Sequence, residues 1–129
     1  MKNISDMLHE TTFKFMSQEK LKYDDLKDNE TTQIFSSITD TLLCAFSIGY
    51  HFDKRTEYSG GFAIVNLSSV PTEVRELMIR LVLDRFPDIG ITNEIWKVAG
   101  EYAEWGITIL YHSMKANDYH LFIDDVLGE

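Results

Sequence analysis

One face of the segment at residues 95–110 constrains the fold more than any other feature of this chain. Ala99, Ala103 and Gly106 stand at i, i+4 and i+7, so a helix brings all three to one side. A glycine inside a helix costs on the order of 1 kcal/mol relative to alanine, and a close contact must offset that. Small side chains there let the backbone of a second helix approach. The natural neighbour is the segment 37–50, which has its own small pair, Ala45 and Gly49. The stripe therefore predicts two closely packed helices at the centre of the molecule.

Periodicity and punctuation place the other elements. Ile4, Met7, Leu8, Phe15, Leu21 and Leu26 recur at loosely helical spacing, predicting a helix over 4–27 that Ser5 caps and the polar run at 24–30 ends. Ser37 with Asp40 resembles a capping box for the 37–50 helix. Ile38, Leu42, Ala45, Phe46 and Gly49 mark its buried face, extended by Thr41, Leu43 and Ile48. Gly60-Gly61 signals a turn, and residues 62–67 are the one β-like run. A lone strand needs a partner within its own loop, across a dimer or on another protein. Pro71 suits a helix start, with Thr72 or Ser69 as cap, and Val74, Leu77, Met78, Leu81 and Val82 form a stripe that Pro87 stops. Thr92 or Asn93 starts the small-residue helix, which runs to about Lys115 and buries Ile95, Trp96, Ala99, Ala103, Gly106, Ile109 and Leu110. Asn117 or Asp118 opens a last short helix with Leu121, Phe122, Val126 and Leu127 on one side. The expected architecture is mainly α. It is a compact bundle of about five helices in one domain, residues 1–129, with one short extended or β segment near 62–67.

Charge and composition narrow the function classes. The chain has 129 residues and a net charge of −9, with eleven acids against five bases in residues 71–129. Such a surface repels nucleic-acid phosphates, so no direct DNA binding is expected. It suits a basic protein partner, or mimicry of DNA toward a DNA-binding protein. A single cysteine, no signal peptide and no long apolar run lead to the expectation of a cytoplasmic chain with no membrane span.

Chemistry-bearing residues are sparse. Cys44 lies in the most apolar helix, where thiols are usually inert. His9, His51, His112 and His120 are scattered, and His120 with Asp124 lacks the further ligands a metal needs. Glu101 and Glu104, and Asp124 and Asp125, are expected to be solvated acids, because nothing else completes an acid–base or metal site. No nucleophile elbow, phosphate-binding loop or dinucleotide fingerprint occurs. The expectation is a non-enzyme without catalytic, metal or cofactor-binding residues. The only basic cluster, at 51–55, puts Lys54 and Arg55 just past a helix end, where cations offset the helix dipole. Tyr102, Trp105, Tyr111 and Tyr119 cannot all face one core, and aromatics are favoured interface anchors. Tyr102, Trp105, Gly106, Tyr111, Lys54 and Arg55 are the candidate partner-binding residues.

Two stretches carry a family resemblance. IFSSITDTLLCAFSIGYHFDKR (34–55) has a Phe-led apolar helix ending in Gly-Tyr and basic residues, and IWKVAGEYAEWGITIL (95–110) has Glu-Tyr-Ala followed by Gly and an apolar run. Together they resemble the DNA phosphorothioation-associated protein 4 family, also called Dnd system-associated protein 4. The chain departs from that pattern in its acidic-neutral N-terminus and in the step Glu104-Trp105-Gly106. The resemblance implies an accessory subunit in antiviral defence tied to DNA phosphorothioation and restriction-modification. Its partners would be protein subunits of a defence or DNA-processing complex. A homodimer through the small-residue notch or the 62–67 strand fits the same reading. The alternative is an acidic regulator or DNA-mimicking inhibitor of a DNA-binding protein.

Overall fold

The structure is a computed structural model that describes residues 13–28, 37–58 and 60–115. In chain order it runs β1 (Lys14–Ser17), α1 (Lys20–Asp28), α2 (Ile38–Phe52), β2 (Phe62–Asn66), α3 (Thr72–Arg85) and α4 (Glu94–Lys115). Short 3-10 turns at Leu67–Ser69 and Pro87–Ile89 flank α3. Among the described residues there are four α-helices and one two-stranded antiparallel sheet. The expected last helix near 117–127 and the Ser5 cap lie outside the described residues.

The pair α2 and α4 forms the centre, as the small-residue stripe predicts. Gly106 meets the backbone of Ala45, and Gly49 meets the backbone of Tyr102. Leu42, Ala45, Phe46 and Ile48 of α2 are buried with Ile95, Trp96, Ala99, Ala103, Ile107 and Leu110 of α4, while Ile109 is half-buried. The notch is thus filled from within, and a homodimer through it is ruled out by packing. Ser37 caps α2 as expected, its Oγ accepting from the Asp40 N–H at 3.1 Å. The helix continues beyond residue 50 to Phe52 and ends on Asp53 in the left-handed conformation (φ 53°). Gly49 serves the close approach of α2 to α4.

The N-terminal region corrects the sequence reading. The described part of the expected 4–27 helix is a strand, a turn and a shorter helix. Phe15 and Ser17 are buried while Lys14 is exposed and Met16 half-buried, a period-two pattern. Phe15 meets Trp96 edge-on at 6.4 Å. Burying such a ring contributes about 2 kcal/mol, enough to favour the extended conformation once a partner strand is at hand. That partner is β2, paired as Lys14 with Asn66, Phe15 with Val65, Met16 with Ala63 and Ser17 with Phe62. The register shifts by one residue at Ile64. In α1, Tyr23 and Leu26 turn inward, and Leu21, expected on the buried stripe, is 82% exposed.

Helix α3 runs as expected to Pro87, but neither Ser69 nor Thr72 caps it; Pro71 holds the cap position without a side-chain bond. Its buried face is Met78, Ile79 and Val82, with Leu77 turned out at 55% exposure. Helix α4 starts at Glu94, two residues after Thr92, whose Oγ1 accepts the Glu94 N–H at 3.3 Å. Among the described residues no helix is long and apolar enough to cross a membrane.

Candidate functional site

The C-terminal end of α2 brings together polar and aromatic side chains from α2, α3 and α4. Asp53 occupies the left-handed region that short polar residues tolerate. Its N–H closes onto the carbonyls of Gly49 and Tyr50. That conformation turns its carboxylate toward α4 and α3. Oδ1 accepts the Tyr102 hydroxyl at 2.6 Å and Arg85 Nη1 at 3.4 Å. Arg85, from the last turn of α3, also donates to the carbonyl of Tyr50 and lies 3.7 Å from the centre of the Tyr50 ring. The cation that offsets the α2 dipole is therefore Arg85, not Lys54 or Arg55. Arg55 stands 4.7 Å over Phe86 and 6.0 Å from Tyr102, and pairs with Glu101 at 3.0 Å. Phe46, Tyr50 and Tyr102 pack mutually within 6.1 Å. A cleft of about 340 Å³ lined by Phe46, Ser47, Tyr50, His51, Leu81 and Arg85 opens beside them.

The predicted partner residues divide. Tyr102, Lys54 and Arg55 meet at this end of α2. Tyr102 is fully buried, however, and only its hydroxyl joins the network, so it is a core residue and not an exposed anchor. Its phenol is pushed up from its ordinary value by burial, reinforced by the Asp53 carboxylate that it bonds. Trp105 is half-buried against Phe52 at 5.8 Å. Gly106 is sealed under Ala45 and touches no surface. Tyr111 sits two turns further along α4, beneath Lys22 at 5.6 Å, on a separate cleft of about 420 Å³ shared with Leu21. Asp53, Tyr50 and Arg85 escaped the sequence reading. Asp53 itself stands where a glycine would usually mark the helix end, and Arg85 meets its partners only through tertiary packing.

The acids of α4 also differ from expectation. Glu101 and Glu104 are both buried and face different elements. Helix α4 is enclosed by α2, α3 and β1, so acids on its flanks become internal. Glu101 takes Arg55, and burial pushes its carboxyl up from the ordinary value, an effect Arg55 partly offsets. Glu104 accepts Ser17 Oγ at 2.5 Å and the Gln18 N–H at 3.0 Å, so it clasps the end of β1 to α4. Tyr23 places a fully buried hydroxyl near this carboxylate, with no hydrogen-bond partner among the described residues. Tyr58 lays its hydroxyl over Gly100, and burial, with the charges of Glu104 and Glu101 adding, pushes its pKa up to about 12.

No protein-family model, curated protein or solved structure matches the chain. Its chemistry is accordingly read from these residues. Among the described residues no three His, Cys, Asp or Glu side chains stand close enough to share a metal ion. Cys44 is half-buried, and burial pushes its thiol up to about 11. At pH 8 its alkylation by iodoacetamide in the native protein is expected to run about a hundredfold slower than that of a free thiol, following the two-unit loss of thiolate. Rapid native labelling would contradict this placement.

Proposed function

We propose that this chain is a small accessory protein of a bacterial DNA-modification-linked antiviral defence system, acting in the cytoplasm by binding protein partners and not by catalysis. The observation that carries the binding reading is the arginine–aromatic surface at the end of α2. Arginine and tyrosine are the residue types that dominate protein interfaces, and here Arg85 is held by the Tyr50 carbonyl and by Asp53 with its guanidinium against the half-buried Tyr50 ring. The defence assignment rests on the resemblance of residues 34–55 and 95–110. These are the two stretches that form α2, the basic end and α4.

The test is affinity capture of the tagged full chain from its host, with and without nuclease treatment. Recovery of defence-complex subunits that survives nuclease is expected. Lys54→Glu combined with Trp105→Ala is expected to cut that recovery at least about tenfold, as loss of interface residues does, while far-UV circular dichroism stays unchanged. Gly106→Leu is unsuitable as a binding probe because the new side chain would strike the Ala45 backbone. Undiminished recovery by the double variant would move the interface elsewhere. Recovery of a DNA-binding protein that free DNA displaces would favour the inhibitor alternative.

A further inference from the structure

We infer that residues 119–127 of this chain dock in the cleft between α1 and the last turns of α4, beside Leu21 and Tyr111. The cleft holds about 420 Å³ and is lined by Gln18, Glu19, Leu21, Lys22, Asp25 and Tyr111. Leu21 stands 82% exposed on it, the most exposed large apolar side chain among the described residues. Helix α1 turns Tyr23 and Leu26 into the core, so Leu21 is an apolar point on its outer side. The sequence of 119–127 supplies a matching surface. Tyr119, Phe122, Ile123, Val126 and Leu127 stand at i, i+3, i+4, i+7 and i+8, which is one side of a helix. Asp118, Asp124, Asp125 and Glu129 fall off that stripe. A helix this short draws its stability from packing its apolar side against a neighbour.

Chain geometry selects this occupant. Tyr111 lies one turn, about 6 Å, before the end of α4 at Lys115, and Asn117 and Asp118 are turn-forming residues where the chain must reverse. A helix over 119–127 is about 13 Å long, enough to cover the first two turns of α1. The other segments outside the described residues start elsewhere. Residues 1–12 join at Phe13, beside Phe15 and Trp96, about 22 Å along α4 from Tyr111. Residues 29–36 are committed to bridging Asp28 to Ser37. A second copy would bring its tail on a body of charge −9 toward another of −9. The tether instead holds the chain's own tail at an effective concentration on the order of 1 mM. Docking by the apolar stripe also keeps the four acids off Glu19 and Asp25 in the cleft.

The experiment places a nitroxide at position 129 of the full chain through Glu129→Cys, with Cys44→Ser to remove the other thiol, and reads paramagnetic broadening of amide signals by NMR. Broadening of residues 18–25 is expected. Phe122→Asp and Leu21→Glu are each expected to abolish it there. Leu21 is exposed, so its substitution should leave the amide spectrum of α2 in place. Leu77→Glu, a charge at another exposed apolar position, should leave the broadening unchanged. A mixture of spin-labelled chain with isotope-labelled chain that carries no nitroxide should show none. Broadening that survives both Phe122→Asp and Leu21→Glu comes from the tether alone and would overturn the proposal. So would its absence at residues 18–25, or broadening in the mixture, which gives the cleft to the tail of a second copy.

Discussion

Gly106→Ala and Gly49→Ala are each expected to lower the stability of this protein by about 3 kcal/mol, the upper range for overpacking a closed core. The sign is the informative part. In an ordinary helix the same change gains about 1 kcal/mol from propensity. Here a Cβ on Gly106 would overlap the carbonyl oxygen of Ala45, and one on Gly49 would overlap the carbonyl of Tyr102. Both obstacles are backbone, which cannot step aside as a side-chain tip can, so α2 and α4 must separate along their shared length. Gly100→Ala provides the contrast. Its nearest obstacle is the hydroxyl end of Tyr58, which can swing away, so a change within about 1 kcal/mol is expected. Urea denaturation of the three variants separates the cases. Equal effects at all three positions would sink the close-approach account of the stripe.

Glu104→Ala is expected to cost about 3 kcal/mol, because it strands the buried Ser17 hydroxyl and Gln18 N–H and leaves a cavity between β1 and α4. Glu104→Gln keeps the shape and one acceptor, and should cost less, on the order of 1 kcal/mol. The carboxylate also has a spectroscopic signature. The phenol of Tyr58 stands at about 12 through burial first and the Glu104 charge second, so removing that charge lowers it. Tyrosinate absorbance of the native protein should show Tyr58 ionising at lower pH in Glu104→Gln than in the parent. For the parent, the raised phenol means the unfolded chain loses its proton first. Stability from Tyr58 is thus intact below pH 10 and falls as pH rises toward about 12. An unmoved Tyr58 titration in the variant would place the carboxylate out of its range.

Much of the fold is legible in the sequence because it rests on local periodicity. The 3.6-residue pattern of 38–52, 72–85 and 94–115, Ser37 as a cap and Pro87 as a stop are all properties of a short window, and each matches the structure to within a turn. The N-terminal segment departs from its local pattern for the same reason. Phe15 and Leu26 satisfy helical spacing, but β1 exists because β2, some fifty residues later, supplies its ladder and Trp96 covers its ring. A strand is a contract between distant segments, and no local window contains both parties.

The candidate site was only half legible. Lys54 and Arg55 stand out as a basic pair in any reading, and Trp105 and Tyr111 as aromatics with no shared face. The cluster that forms is instead Tyr50, Asp53, Arg85 and Tyr102, and it depends on where α3 delivers Arg85 and on the left-handed turn at Asp53, neither of which leaves a mark in composition or spacing. The acids show the limit most plainly. Two glutamates three residues apart on a helix are normally solvated, and sequence alone cannot tell that α4 is enclosed on several sides. By itself the sequence determined that two helices must meet closely at small residues, since the cost of Gly106 has no other local return. Only the tertiary structure decided that Glu101 and Glu104 turn inward to Arg55 and Ser17, because burial depends on which elements close over a helix, and that is settled between segments far apart in the chain.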